Sequence, residues 1–140
     1  MKYLYPEKNS NAYYKLKFSL RDRLLNSLFF IDLKSSKHSN IHKAKLNVQK
    51  TVSLIQILLT KGTNKNAIYI ASKCLSIANK FEFTHEKLIL TRILRRHAAT
   101  MLGDSKKVDE YDQLIFQTMN LLNAELLAVS YTHLTLPTKA

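Results

Sequence analysis

His38 and His42 stand four residues apart, the spacing that lets two imidazoles on one helix face share a metal ion. No cysteine or carboxylate stands beside them in sequence, and His38 falls in a polar connector, so both read as solvated. Glu82 and His85 have the Glu-x-x-His spacing of carboxylate-bridged metal bundles, which need a second such motif and two more inward glutamates. Only one motif is present, and it straddles an expected helix break. His97 lies on an apolar stripe with no carboxylate or nucleophile in view, so a core or boundary role is expected rather than general-base work. Cys74, the single cysteine, also lies on an apolar stripe and reads as a small packing residue. Two glycines in the whole chain cannot make a phosphate-cradling loop. The expectation is no catalytic residue, no metal site and no cofactor: not an enzyme.

What remains is basic. Arg92, Arg95 and Arg96 cluster on one helical pattern, with Lys87 one turn earlier, and Lys43, Lys45 and Lys50 lie on another. Together they are the candidate binding surface, for an acidic peptide or a phosphate backbone. The competing reading is a solvated face. Lysines number 17 against 5 arginines, a balance that AT-rich coding also produces, whereas dedicated phosphate recognition favours the arginine fork. The net charge is +12, and residues 1–80 carry it, with 15 Lys/Arg against 3 acids. Residues 81–127 are close to neutral, with 6 Lys/Arg against 7 acids.

These residues need helices to hold them. With two glycines and two prolines in 140 residues, a fold of many tight turns is excluded. Five segments place apolar residues three or four apart, the helical period. The first covers about residues 11–33, with the stripe Tyr13, Leu16, Leu20, Leu24, Leu28, Ile31 and a cap at Asn9 or Ser10. The second covers about 41–61 and is capped by Ser39 or Asn40; Gly62 ends it in a left-handed turn. The third starts at Thr63 or Asn64 and runs to Phe81. The fourth starts after Thr84, and Gly103 stops it. Asp104 caps the fifth, whose stripe is Val108, Tyr111, Ile115, Met119, Leu122, Leu126. Short links make neighbours antiparallel, giving hairpins at about 41–81 and 84–127, with helix 11–33 left from a preceding unit. Residues 1–10 are expected to be poorly ordered.

The turn and helix from Lys61 to Ala78 resemble those of a tetratricopeptide repeat. Gly62 stands at the turn, Ala67 at the small position after it, and Cys74-Leu75 at the small-plus-Leu pair. The second unit departs from that pattern, with Val108 and Ile115-Phe116 at the matching places, and the period near 41 residues exceeds the usual 34. The whole of 11–127 is similar to segments of larger bacterial helical-repeat proteins. The resemblance implies an all-α, tetratricopeptide-like α-solenoid fragment, with a compact five-helix bundle as the alternative. It also implies that the first helix of each hairpin lines a concave groove.

The end of the chain is of a different kind. Residues 129–138, VSYTHLTLPT, resemble translated sequencing-adapter DNA, so 128–140 is expected to be a non-native tail. The functional expectation is a non-catalytic protein–protein interaction scaffold that binds a protein or peptide. The alternatives are a basic module associated with nucleic acid, and a regulatory or docking region attached to a catalytic domain beyond residue 127. Self-association through exposed repeat faces is expected. No apolar run is long enough to cross a membrane, and neither a signal peptide nor a disulfide can be read, so a cytoplasmic location is expected.

Overall fold

The computed structural model describes residues 11–30 and 39–135, with side chains as far as Thr132. The described residues are all-α, with no strand among them. Five helices follow in order: α1 (Asn11–Ser27), α2 (Asn40–Thr60), α3 (Asn64–Lys80), α4 (Thr84–His97) and α5 (Ser105–Thr135). The chain divides into two compact units, residues 1–37 and 38–140.

In the first unit α1 runs into a single 3₁₀ turn, Leu28–Phe30. None of the residues of α1 is buried; the expected stripe of Leu16, Leu20, Leu24 and Leu28 lies more than half exposed. Local contacts hold the helix surface instead: the Arg21 guanidinium stands 4.5 Å from the centre of the Phe18 ring, and Tyr13 meets Tyr14 edge-on. The expected caps Asn9 and Ser10, and Ile31 at the end of the stripe, lie outside the described residues.

The second unit packs α2 on α3, α3 on α4 and α4 on α5, and also α2 on α4. The α2–α3 and α4–α5 pairs are each joined through a turn. Each closes on a glycine in the left-handed region, Gly62 at φ 78° and Gly103 at φ 60°, where a side chain would be strained. Val48 and Cys74 lie at nearly equal distances along the chain from Gly62, and the Cys74 Sγ faces the Val48 carbonyl oxygen at 4.0 Å. The core is Val48, Val52 and Ile55 from α2, Ala67, Ala71, Cys74 and Ala78 from α3, and Phe83, Leu90 and Leu94 at or on α4. Small side chains on one face of α3 let helices pack close on it and lose little rotamer entropy on burial.

Ser39 caps α2, accepting from the His42 backbone N–H at 3.3 Å, and Asp104 caps α5 through the Lys107 N–H at 3.1 Å. Thr63 precedes α3, but its hydroxyl donates backward to the Leu58 carbonyl at 2.9 Å and seals the end of α2 instead. The link between the hairpins has no glycine. Glu82 takes the left-handed conformation there, at φ 55°. The Phe81 and Phe83 rings stack across it at 5.6 Å, and the Phe83 N–H bonds the Ala78 carbonyl at 2.9 Å. Those contacts offset a strain of about 1 kcal/mol.

Three expectations need correction. The fourth helix does not stay α-helical up to Gly103, because Ala98–Leu102 forms one wider π turn. On α5, Met119 and Leu126 are exposed, while Thr118 is only 2 % exposed. Its hydroxyl donates to the Leu114 carbonyl at 2.6 Å, so burying it leaves no polar atom unpaired. Finally, α5 does not end near Leu127 but continues to Thr135. Its last described side chains are well exposed, Val129 at 56 % and Tyr131 at 66 %. Removal of residues 129–140 is therefore expected to leave the melting temperature within a few degrees of the full chain, checked by circular dichroism; a drop like that of a core mutant would contradict this burial pattern.

Candidate functional site

The last turns of α2, the outer face of α4 and the middle of α5 border an open groove of about 1050 Å³. Leu59, Leu88, Ile89, Ile93, Ile115 and Met119 supply its apolar lining. Arg92, Arg95 and Arg96 supply its positive charge, and Asp112 is the one acid that lines it among the described residues. A smaller cavity of about 180 Å³ adjoins it, sharing Leu59, Ile93 and Arg96 and adding Asn64, Ile68, His97 and Met101.

Arg95 and Asp112 face each other across the groove because both lie nearly the same distance along the chain from Gly103. The pair is bidentate: Arg95 Nη2 donates to Asp112 Oδ2 at 3.0 Å, and Nε donates to Oδ1. The Arg95 guanidinium, first by its hydrogen bond, holds the Asp112 carboxyl below the usual carboxylate range, and Asp112 raises Arg95 in return. Both side chains remain open to solvent, at 41 % and 47 % exposure. Arg92 and Arg96 are exposed, and neither has a carboxylate partner among the described residues.

Of the seven basic residues singled out in the sequence, three therefore share one site and four do not. Lys43, Lys45, Lys50 and Lys87 are not among the groove-lining residues. The three α2 lysines sit in the first half of that helix, whereas the groove takes Gln56, Leu59 and Thr60 near its end. Lys45 instead stands 5.9 Å from the centre of the Phe83 ring.

A second set of polar contacts ties α4 to its neighbours α2 and α5. Glu86, in the first turn of α4, is only 3 % exposed, and its Oε1 accepts from Gln49 Nε2 of α2 at 2.8 Å. A carboxylate in a first turn is also favoured by the positive end of the helix dipole. Thr84 donates to Glu125 Oε1 of α5 at 2.6 Å. Residues so far apart in the chain give no such pairing in the sequence.

The remaining candidates are accounted for by position. His42 is exposed at the start of α2, and His38 lies outside the described residues. Glu82 lies in the turn and His85 on α4, so they share no helix face. Among the described residues no group of three His, Cys, Asp or Glu gathers as metal ligands would. Cys74 is 3 % exposed; burial first, and then the negative charge of Glu86, push its thiol up from its ordinary value. Its reaction with a thiol reagent at mildly alkaline pH is expected to be at least about tenfold slower in the folded chain than in urea. Because the folded thiol holds its proton more tightly, stability should fall once pH rises past the ordinary cysteine value, where only the unfolded thiol ionises. A fast native reaction would place Cys74 at the surface.

Comparison with protein-family models, with curated proteins and with solved structures finds no match to this chain. Among the described residues no helix is long and apolar enough to cross a membrane.

Proposed function

We propose that the second unit is a non-catalytic protein–protein interaction scaffold of the tetratricopeptide-like kind. Its groove between α2, α4 and α5 takes a segment of a partner that carries acidic and aliphatic side chains. The observation that carries this reading is the composition of the groove: an apolar lining interrupted by Arg92 and Arg96, two guanidinium groups with no carboxylate partner among the described residues. An open site about as large as those that enclose small ligands fits a stretch of chain, with aliphatic side chains on Leu59, Ile93 and Met119. Carboxylates then meet the planar guanidinium forks in two-point contact.

A random-peptide display library selected on the full chain tests this. Enrichment of sequences pairing Glu or Asp with Leu or Ile, weakened by substitutions at Arg92 and Arg96, is the expected result. Enrichment of basic sequences, or of none, would overturn it. Tighter binding of a single-stranded RNA than of any peptide, with a steep loss of affinity in salt, would favour nucleic acid instead.

A further inference from the structure

We infer that Asp112 is a specificity-determining residue of the groove: it occupies Arg95 in the empty site and gives way to an acidic side chain of the ligand. The inference rests on the peptide-groove reading above and concerns how that site is tuned. Three arginines line the groove, but only two are free to meet a ligand, because Asp112 on the opposing helix grips the third at two points. It does so on an open surface, where an ion pair contributes little to stability and exchanges readily. The fork that accepts Asp112 accepts a ligand carboxylate in the same geometry. Among the described residues Asp112 is also the one negative charge on the wall, so it repels the ligands that the arginines attract. A partner with one or two acidic residues is served by Arg92 and Arg96 alone. A more acidic one gains a third contact only by displacing Asp112, so Asp112 grades ligands by charge.

The test uses the full chain and a short labelled peptide of alternating glutamate and leucine pairs, followed by fluorescence polarisation. Asp112→Asn should tighten binding about fivefold, the scale of one exposed ion pair. Glu110→Gln removes the same charge from α5 outside the groove and should leave affinity unchanged. Adding Arg95→Ala to Asp112→Asn should abolish the gain, because Arg95 is the group released. Melting curves of all variants should stay within a few degrees of the parent. Equal binding by the parent and Asp112→Asn overturns the inference and leaves the groove reading standing. An equal gain from Glu110→Gln reduces the effect to net charge and also overturns it. If neither the parent nor Asp112→Asn binds the peptide, both the inference and the groove reading fall.

Discussion

Leu90→Ala should lower the melting temperature of the second unit by on the order of 10–20 °C. Leu90 is fully buried, in a core that joins α2, α3 and α4. Truncating such a side chain removes its transfer free energy and leaves a cavity, at about 2–5 kcal/mol. A domain of this size holds only about 5–15 kcal/mol in all, and roughly each kcal/mol moves its melting point by several degrees. The cavity would sit where small residues of α3 already leave little side-chain bulk to collapse inward. Leu126 is a control of the same chemistry: it is 61 % exposed on α5, and its replacement by alanine should cost no more than about 0.5 kcal/mol. Circular dichroism melts of the two variants check the contrast. Equal shifts would mean that Leu90 is not the core residue described.

Reversing charge at both free arginines should have the largest effect on binding. Arg92→Glu with Arg96→Glu turns two attractive positions into two repulsive ones. The effect at each exposed position is small, so both reversals together should weaken an acidic–aliphatic peptide roughly thirtyfold. Stability should hardly change, because both side chains are exposed and neither is ion-paired among the described residues. The same variant should gain affinity for a peptide with lysine in place of glutamate, an inversion that unfolding cannot produce. Loss of both peptides would instead indicate damage to the fold.

Much of the second unit was legible in its residues. The apolar period set the helices, and Gly62 and Gly103 marked the two hairpin turns, since few other residues adopt those angles without strain. The link at Glu82 was legible only as a break in the pattern. The left-handed glutamate sits between the stacked Phe81 and Phe83 rings, and Phe83 belongs to the core shared by α2, α3 and α4, which the local pattern does not reveal. The π turn and the burial of Thr118 were hidden for a similar reason. Each is settled by where one helix meets its neighbour, not by the local sequence.

The site was half legible. Arg92, Arg95 and Arg96 share a helix face by spacing alone. Their separation from Lys43, Lys45 and Lys50 depends on which end of α2 meets α4, and periodicity does not encode that. Asp112 was missed although a signal existed. Two residues equally far from a hairpin glycine tend to face each other, and Arg95 and Asp112 satisfy that rule about Gly103, as Val48 and Cys74 do about Gly62.

The most direct measurement of the central claim is an amide and methyl NMR titration of the full chain with the glutamate–leucine peptide. The groove reading predicts perturbations gathered at Leu59, Ile93, Met119 and the Arg92 and Arg96 amides, with the first half of α2 quiet. Perturbations centred on Lys43, Lys45 and Lys50, or spread evenly over the basic surface, would contradict it and return the arginines to the status of a solvated face.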